Sequence, residues 1–150
     1  MIAYADTSFL CALYRQQDNS RAAAAHFKGM TEPLHVASPL LFEFRQSLRF
    51  QVWLHDRKAA HGFPEKTCDE ALAHLQSDLD SGAVVMVSAD AAAVHREAER
   101  LSASYTKTGG HRALDILHIA TALVLEAEEF ISFDSNQRKL AAAEGLKVKP

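Results

Sequence analysis

Short apolar runs alternate along this chain with longer stretches in which apolar residues return every three or four positions. That contrast separates strands from helices. "MIAYA" predicts a buried strand, and "SFLCALYRQQ" a helix that begins near Ser8. "NSRAAAAHFKGM" predicts a second helix, with Asn19 or Ser20 as N-cap and Gly29 as its stop. "LHVAS" is a second strand. Pro39 then suits the first turn of a long helix from Leu40 to about Ala60, striped by Leu41, Phe44, Leu48 and Val52. "HGFPEK" breaks that helix, and another runs from Glu65 to about Ser81, ended by Gly82. "AVVMVS" is a third strand and "ADAAAVHREAERLSASY" an Ala-rich helix. "TKTGG" reads as a flexible loop into "HRALDILHIATALVLEAE", a helix apolar enough to be central. "EFISF" is a fourth strand, "DSNQRKLAAAEG" a helix closed by Gly145, and "LKVKP" an edge strand.

Strands that alternate with helices predict an α/β fold: a mostly parallel sheet of four to five strands, covered on both faces. The 150 residues suit one domain spanning 1–150. With 48% hydrophobic and 23% charged residues, disordered and fibrous classes are excluded. A net charge of -3 excludes a surface that is cationic throughout, and leaves room for a basic rim around an acidic centre. Cys11 and Cys68 are far apart and carry no CxxC spacing, as expected of reduced thiols. No basic N-terminal region and no apolar stretch of membrane-spanning length is present, so the expected location is cytoplasmic.

Ligands of parallel sheets bind beyond the carboxyl ends of the strands. Asp6, after "IAYA", and Asp134, after "FISF", stand at two such ends. Each has a plainer role open to it: Asp6 as a helix N-cap, Asp134 in a capping box with Gln137. Glu43, in "SPLLFEFRQSL", has no cation at helical spacing; it faces solvent, pairs with a distant Arg, or serves a site. Asp115 lies on the apolar "RALDILHIATAL" helix and needs a partner, either Arg112 or a metal. If the sheet gathers all four, two like charges ~4 Å apart repel by about 4 kcal/mol at an effective dielectric near 20. Such a cluster protonates, splays or takes a cation. Carboxylates alone suit hard ions such as Mg²⁺ or Mn²⁺, and hence metal-assisted phosphoryl chemistry.

At these residues the sequence resembles the PIN-domain family, and within it the VapC-like ribonucleases of toxin–antitoxin pairs. "YADTSFL", "SPLLFEF", "ALDILHIATAL" and "FISFDSNQRKLA" look like its four motifs, in order and over essentially the whole chain. Where many relatives carry Thr two residues before the last Asp, this chain has Ser132. The resemblance implies a three-layer α/β/α sandwich and endonucleolytic cleavage of RNA to 5′-phosphate products. It implies that Asp6, Glu43, Asp115 and Asp134 hold one or two Mg²⁺ or Mn²⁺ ions, with Ser8 supporting the site by hydrogen bonding.

An acidic site must still attract a polyanion. Arg15, Arg45, Arg49, Lys107, His111, Arg112, Arg138 and Lys139 are near the motifs in sequence, and Lys107 and Arg112 flank the loop into the Asp115 helix. Each is equally open to a solvated surface role. His111 and His118 are one turn either side of Asp115, as metal ligands or as core or supporting partners. Phe50, Trp53 and Leu54 lie off the long helix's apolar stripe; they suit a homodimer, a groove for a protein antitoxin, or packing under the next helix. Two other functions compete: a catalytically silent PIN-like RNA- or protein-binding module, and a phosphatase of the haloacid-dehalogenase type. The phosphatase needs a second Asp two residues after the first, where this chain has Ser8.

Overall fold

All five apolar runs become strands in a computed structural model, which describes residues 1–58 and 61–150. They are β1 (Ala3–Ala5), β2 (Leu34–Val36), β3 (Val84–Met86), β4 (Glu129–Ile131) and β5 (Lys147–Lys149). The sheet order is β3-β2-β1-β4-β5 and every pairing is parallel. Tyr4 is in register with His35 on one side and Phe130 on the other. β1 is therefore central and wholly buried, which its unbroken apolar run requires. β5 is at an edge as expected, and its exposed Lys147 and Lys149 discourage pairing with another chain.

Helices α1 (Thr7–Tyr14), α2 (Ser20–Gly29), α3 (Ser38–Asp56) and α4 (Glu65–Ser81) connect β1 to β2 to β3 and pack on one another. From β3 the chain continues through α5 (Ala91–Leu101), a π-helical turn (Ser102–Thr106), α6 (Lys107–Gly109) and α7 (Ala113–Val124) to β4, then α8 (Ser135–Ala143) to β5. α7 packs on α5 and α8. The strand order runs one way from β1 to β3 and the other way from β1 to β5. Right-handed crossovers then place the two helix groups on opposite faces. The result is a three-layer α/β/α sandwich. Its core joins Tyr4, Phe9, Leu34, Phe44, Ile119 and Phe130, all fully buried or nearly so. Among the described residues, no helix is long and apolar enough to cross a membrane.

Several boundaries differ from expectation for local reasons. Neither Asn19 nor Ser20 caps α2 through its side chain. Asn19 Oδ1 accepts from Gln17 Nε2 at 2.8 Å, and Ser20 Oγ donates to the Arg15 carbonyl at 2.6 Å. Gly29 is the last residue inside α2 rather than its stop. α3 ends at Asp56; the expected end near Ala60 lies outside the described residues. Gly82 and Gly145 end α4 and α8 with φ of +80° and +89°, conformations that favour glycine. "TKTGG" is not a loop. It is helical as far as Gly109, and the Gly109 carbonyl accepts from Asn136 Nδ2 at 3.1 Å.

Candidate active site

Asp6 follows the central strand at the point where the sheet order reverses, the usual place for a ligand in open parallel sheets. Its backbone N–H donates to Ile131 O at 3.0 Å, which ties it to β4. Its side chain caps α1, with Oδ1 accepting from the Phe9 N–H at 3.0 Å and from Ser8 Oγ at 2.7 Å. Oδ2 accepts from Ser132 Oγ at 2.6 Å and from Gln137 Nε2 at 2.9 Å. A carboxylate has about four lone-pair sites, and here all are used. The side chain is 0% exposed. Burial pushes its pKa up, against the opposing pull of the Ser132 and Ser8 hydroxyls and the Phe9 N–H.

Gln137 connects three of the four acids. Its Nε2 donates to Asp6 and, at 3.2 Å, to Asp115 Oδ1. Its backbone N–H donates to Asp134 Oδ1 at 2.9 Å, so Asp134 does cap α8. The capping box is only half formed, because the Gln137 side chain turns inward to Asp6 and Asp115. Asp134 is also tied through its own N–H to Ser132 Oγ at 3.0 Å. Ser8 links the two motifs again, accepting from the Phe133 N–H at 2.9 Å.

Asp115 is paired with Arg112 Nε at 3.2 Å. The Asp115 charge raises the Arg112 pKa, and Asp134 and Glu43 add to that effect, so the guanidinium faces three acids at once. Glu43 stands apart from Gln137. Its Oε2 pairs with Nε2 of the buried His118 at 2.5 Å, and Thr7 Oγ1 lies 3.4 Å from the same nitrogen. Burial is the largest influence on Glu43 and would raise its pKa. The His118 bond and charge, the Thr7 hydroxyl and Arg112 together outweigh it, so the carboxyl lies below its ordinary value. Glu43 was expected to face solvent, pair with a distant Arg or serve a site. Its direct partner is a histidine 75 residues away in sequence, not an Arg.

A lowered carboxyl pKa stabilises the fold at pH above the unfolded value, near 4.3, and that stability is lost as pH falls through the folded value. Glu43→Gln should therefore flatten the acid limb of a plot of Tm against pH in chelator. An unchanged acid limb would show that the His118 pair contributes nothing there.

Lys107 is exposed on α6, and no described contact joins it to the acids. Arg15 lies over the Phe63 ring, 5.4 Å from its centre, and Arg138 donates to the carbonyls of Ser132, Lys149 and Pro150. Of the cations expected near the motifs, Arg112 is the one that contacts an acid of the site. His111 lies partly buried after α6, and its Nδ1 has no partner among the described residues.

The acids meet differently from the expected bare cluster. Among the described residues, no group of three or more His, Cys, Asp or Glu side chains is arranged to hold a metal ion. The reason is visible in the donors: Gln137 stands between Asp6 and Asp115, Arg112 is on Asp115, and His118 is on Glu43. Each removes repulsion that a cation would otherwise relieve. The donor set still fits a hard divalent ion in kind. It is all carboxylate oxygen, and one N–H donor group occupies the gap between two carboxylates. Gln137 was read from sequence only as a capping partner. Its signal was there to find, since it shares the buried face of α8 with Leu140 and Ala141.

The same fold recurs in solved structures at low identity. VapC20 of Mycobacterium tuberculosis, a sarcin–ricin loop cleaving toxin, matches with a TM-score of 0.71 and 15% identity, over 99% of this chain and 99% of its own. VapBC-1 of nontypeable Haemophilus influenzae matches with a TM-score of 0.64 and 12% identity, over 99% and 97%. FitAcB of Neisseria gonorrhoeae matches with a TM-score of 0.60 and 19% identity, over 100% and 97%. No curated protein matches the sequence at a significant level. The PIN domain family model matches residues 3–143, a span that includes Asp6, Glu43, Asp115 and Asp134. With the sheet order, the site at its switch point and that match in hand, the chain belongs to the PIN-domain family.

Proposed function

We propose that this protein is a Mg²⁺- or Mn²⁺-dependent endoribonuclease and the toxin of a type II toxin–antitoxin pair. The observation that carries the proposal is the convergence of Asp6, Asp115 and Asp134 on Gln137, with Glu43 held nearby, at the carboxyl end of the central strands. Family membership and the likeness to VapC20, a sarcin–ricin loop cleaving toxin, support it. A divalent ion held by Asp6, Glu43, Asp115 and Asp134 would lower the pKa of an attacking water and offset charge on the phosphodiester. Ser8 and Ser132 fix the Asp6 carboxylate, and His118 restrains Glu43. Arg112, with 80% of its side chain exposed, can exchange part of its contact with Asp115 for a phosphate oxygen. Lys107, exposed on α6, would supply a second cationic contact to the RNA backbone.

Phosphatase chemistry of the haloacid-dehalogenase kind is disfavoured by Ser8. Ser8 stands where that chemistry needs a second Asp, and its hydroxyl donates to Asp6 Oδ1 rather than serving as an acid or base. A protein partner has a candidate surface on the outer side of α3. Phe42 is 67% exposed there, and Phe50 stacks on Trp53 with ring centres 5.4 Å apart. These rings are exposed rather than packed under α4, with Arg57 lying 4.2 Å over the Trp53 ring, and an antitoxin or a second copy would cover them.

The deciding experiment incubates the protein with RNA in Mg²⁺, in Mn²⁺ and in EDTA. Cleavage to 5′-phosphate ends in either ion and none in EDTA is expected. Cleavage indifferent to EDTA would end the metal-dependent reading, and ion binding without cleavage would favour the silent module. Lys107→Ala should weaken RNA binding and lower the slope of log K against log salt by ~0.7, the value for one phosphate contact on a single strand. An unchanged slope would remove Lys107 from the substrate path.

A further inference from the structure

We propose that the Gln137 side chain is an internal stand-in for the divalent ion: its N–H donors hold Asp6 and Asp115 together while the site is empty, and the amide turns over when the ion enters. This rests on the metal-dependent reading given above. Three observations carry it. Gln137 is 3% exposed, so its amide has no solvent to satisfy it. Its Nε2 donates to both Asp6 Oδ2 and Asp115 Oδ1, so a single N–H donor group bridges two carboxylates. Its Oε1 is buried with no hydrogen-bond partner among the described residues.

An orphaned buried carbonyl oxygen is unfavourable and calls for an explanation. With no cation present, the orientation follows from charge alone, because Oε1 turned inward would face two carboxylates. Once a cation lies between those carboxylates, the preference reverses. The N–H groups are then repelled, and Oε1 becomes a hard oxygen donor of the kind that Mg²⁺ and Mn²⁺ accept. Half a turn about χ3, with the side chain drawn back to admit the ion, brings Oε1 to face it without moving α8. Every other donor on Asp6 is fixed to backbone or to a hydroxyl shared with Phe133 or Asp134, so Gln137 is the partner that can yield. The unpartnered oxygen is thus a ligand waiting for its ion.

The test compares the parent with Gln137→Glu, which keeps an oxygen donor and removes the N–H groups. The metal-free Tm should fall by about 3–6 °C, since a further carboxylate replaces the donor between Asp6 and Asp115. Mn²⁺ measured by calorimetry should bind about tenfold more tightly, because the ligand set gains a charge and loses its internal competitor. A metal-free loss with unchanged Mn²⁺ affinity would overturn the proposal and leave Gln137 a structural residue. A second measurement needs no variant: the Gln137 side-chain amide signal in a ¹H–¹⁵N spectrum of the parent. It should shift in step with Mg²⁺ binding as the N–H groups leave the carboxylates; a signal unmoved at saturating Mg²⁺ would also overturn it. If the parent binds neither ion, the metal-dependent reading falls and this inference with it. If the parent binds ions while Gln137 stays indifferent, only this inference falls.

Discussion

Asp6→Asn is expected to cut RNA cleavage by on the order of 100-fold or more while leaving the protein folded. The loss follows from position: Asp6 is the one acid anchored to β4, to α1, to Ser132 and to Gln137 together. Folding survives because two of its four donors keep an acceptor and Gln137 can adapt. With the amide oxygen in the Oδ1 place, the Phe9 N–H and the Ser8 hydroxyl keep their acceptor, and the Gln137 amide can present its oxygen to the new side-chain N–H. In metal-free buffer near neutral pH the variant should melt higher than the parent. Burial raises the folded pKa of Asp6 above its ordinary value near 3.9. The stability linked to that shift is complete at low pH and is lost as pH rises through the folded value. Asparagine carries no charge to desolvate and escapes that loss. Cleavage assays and thermal melts in EDTA check both halves. A folded variant with parental activity would remove Asp6 from the chemistry.

Phe130→Ala should cost about 3–5 kcal/mol and lower Tm by roughly 10 °C or more. Phe130 is fully buried in β4, in register between Tyr4 of β1 and Val148 of β5. Truncating it opens a cavity in the strand that leads directly into Ser132 and Asp134. Activity should then fall at temperatures well below the new midpoint, because Ser132 Oγ is one of the two donors on Asp6 Oδ2. Denaturant unfolding measures the stability and a low-temperature cleavage assay the coupling. A loss under ~1 kcal/mol would show that the layer relaxes around the gap.

The alternation of apolar runs and helical stripes made the sheet legible, since strands buried on both faces must be apolar throughout. Asp6 and Asp134 were legible as strand ends. Glu43 was harder, because its partner His118 is remote in sequence and no local pattern joins them. The "TKTGG" segment was misread because its glycines outweighed contacts that only tertiary structure supplies. Tyr105 donates to Glu144 at 2.7 Å and Asn136 to Gly109, and together they hold the segment helical. Gln137 was overlooked for a similar reason: the N-cap pattern explained its backbone and hid its side chain.

The β1–β4 pairing has a consequence for synthesis. Asp6 leaves the ribosome early, but the strand that fixes it comes more than a hundred residues later. At ordinary translation speeds that gap is roughly ten seconds. A chain cut short before β4 therefore has Asp6 but neither the Ile131 carbonyl nor the Ser132 hydroxyl that fix it, so any activity built on that carboxylate waits for β4 to be made.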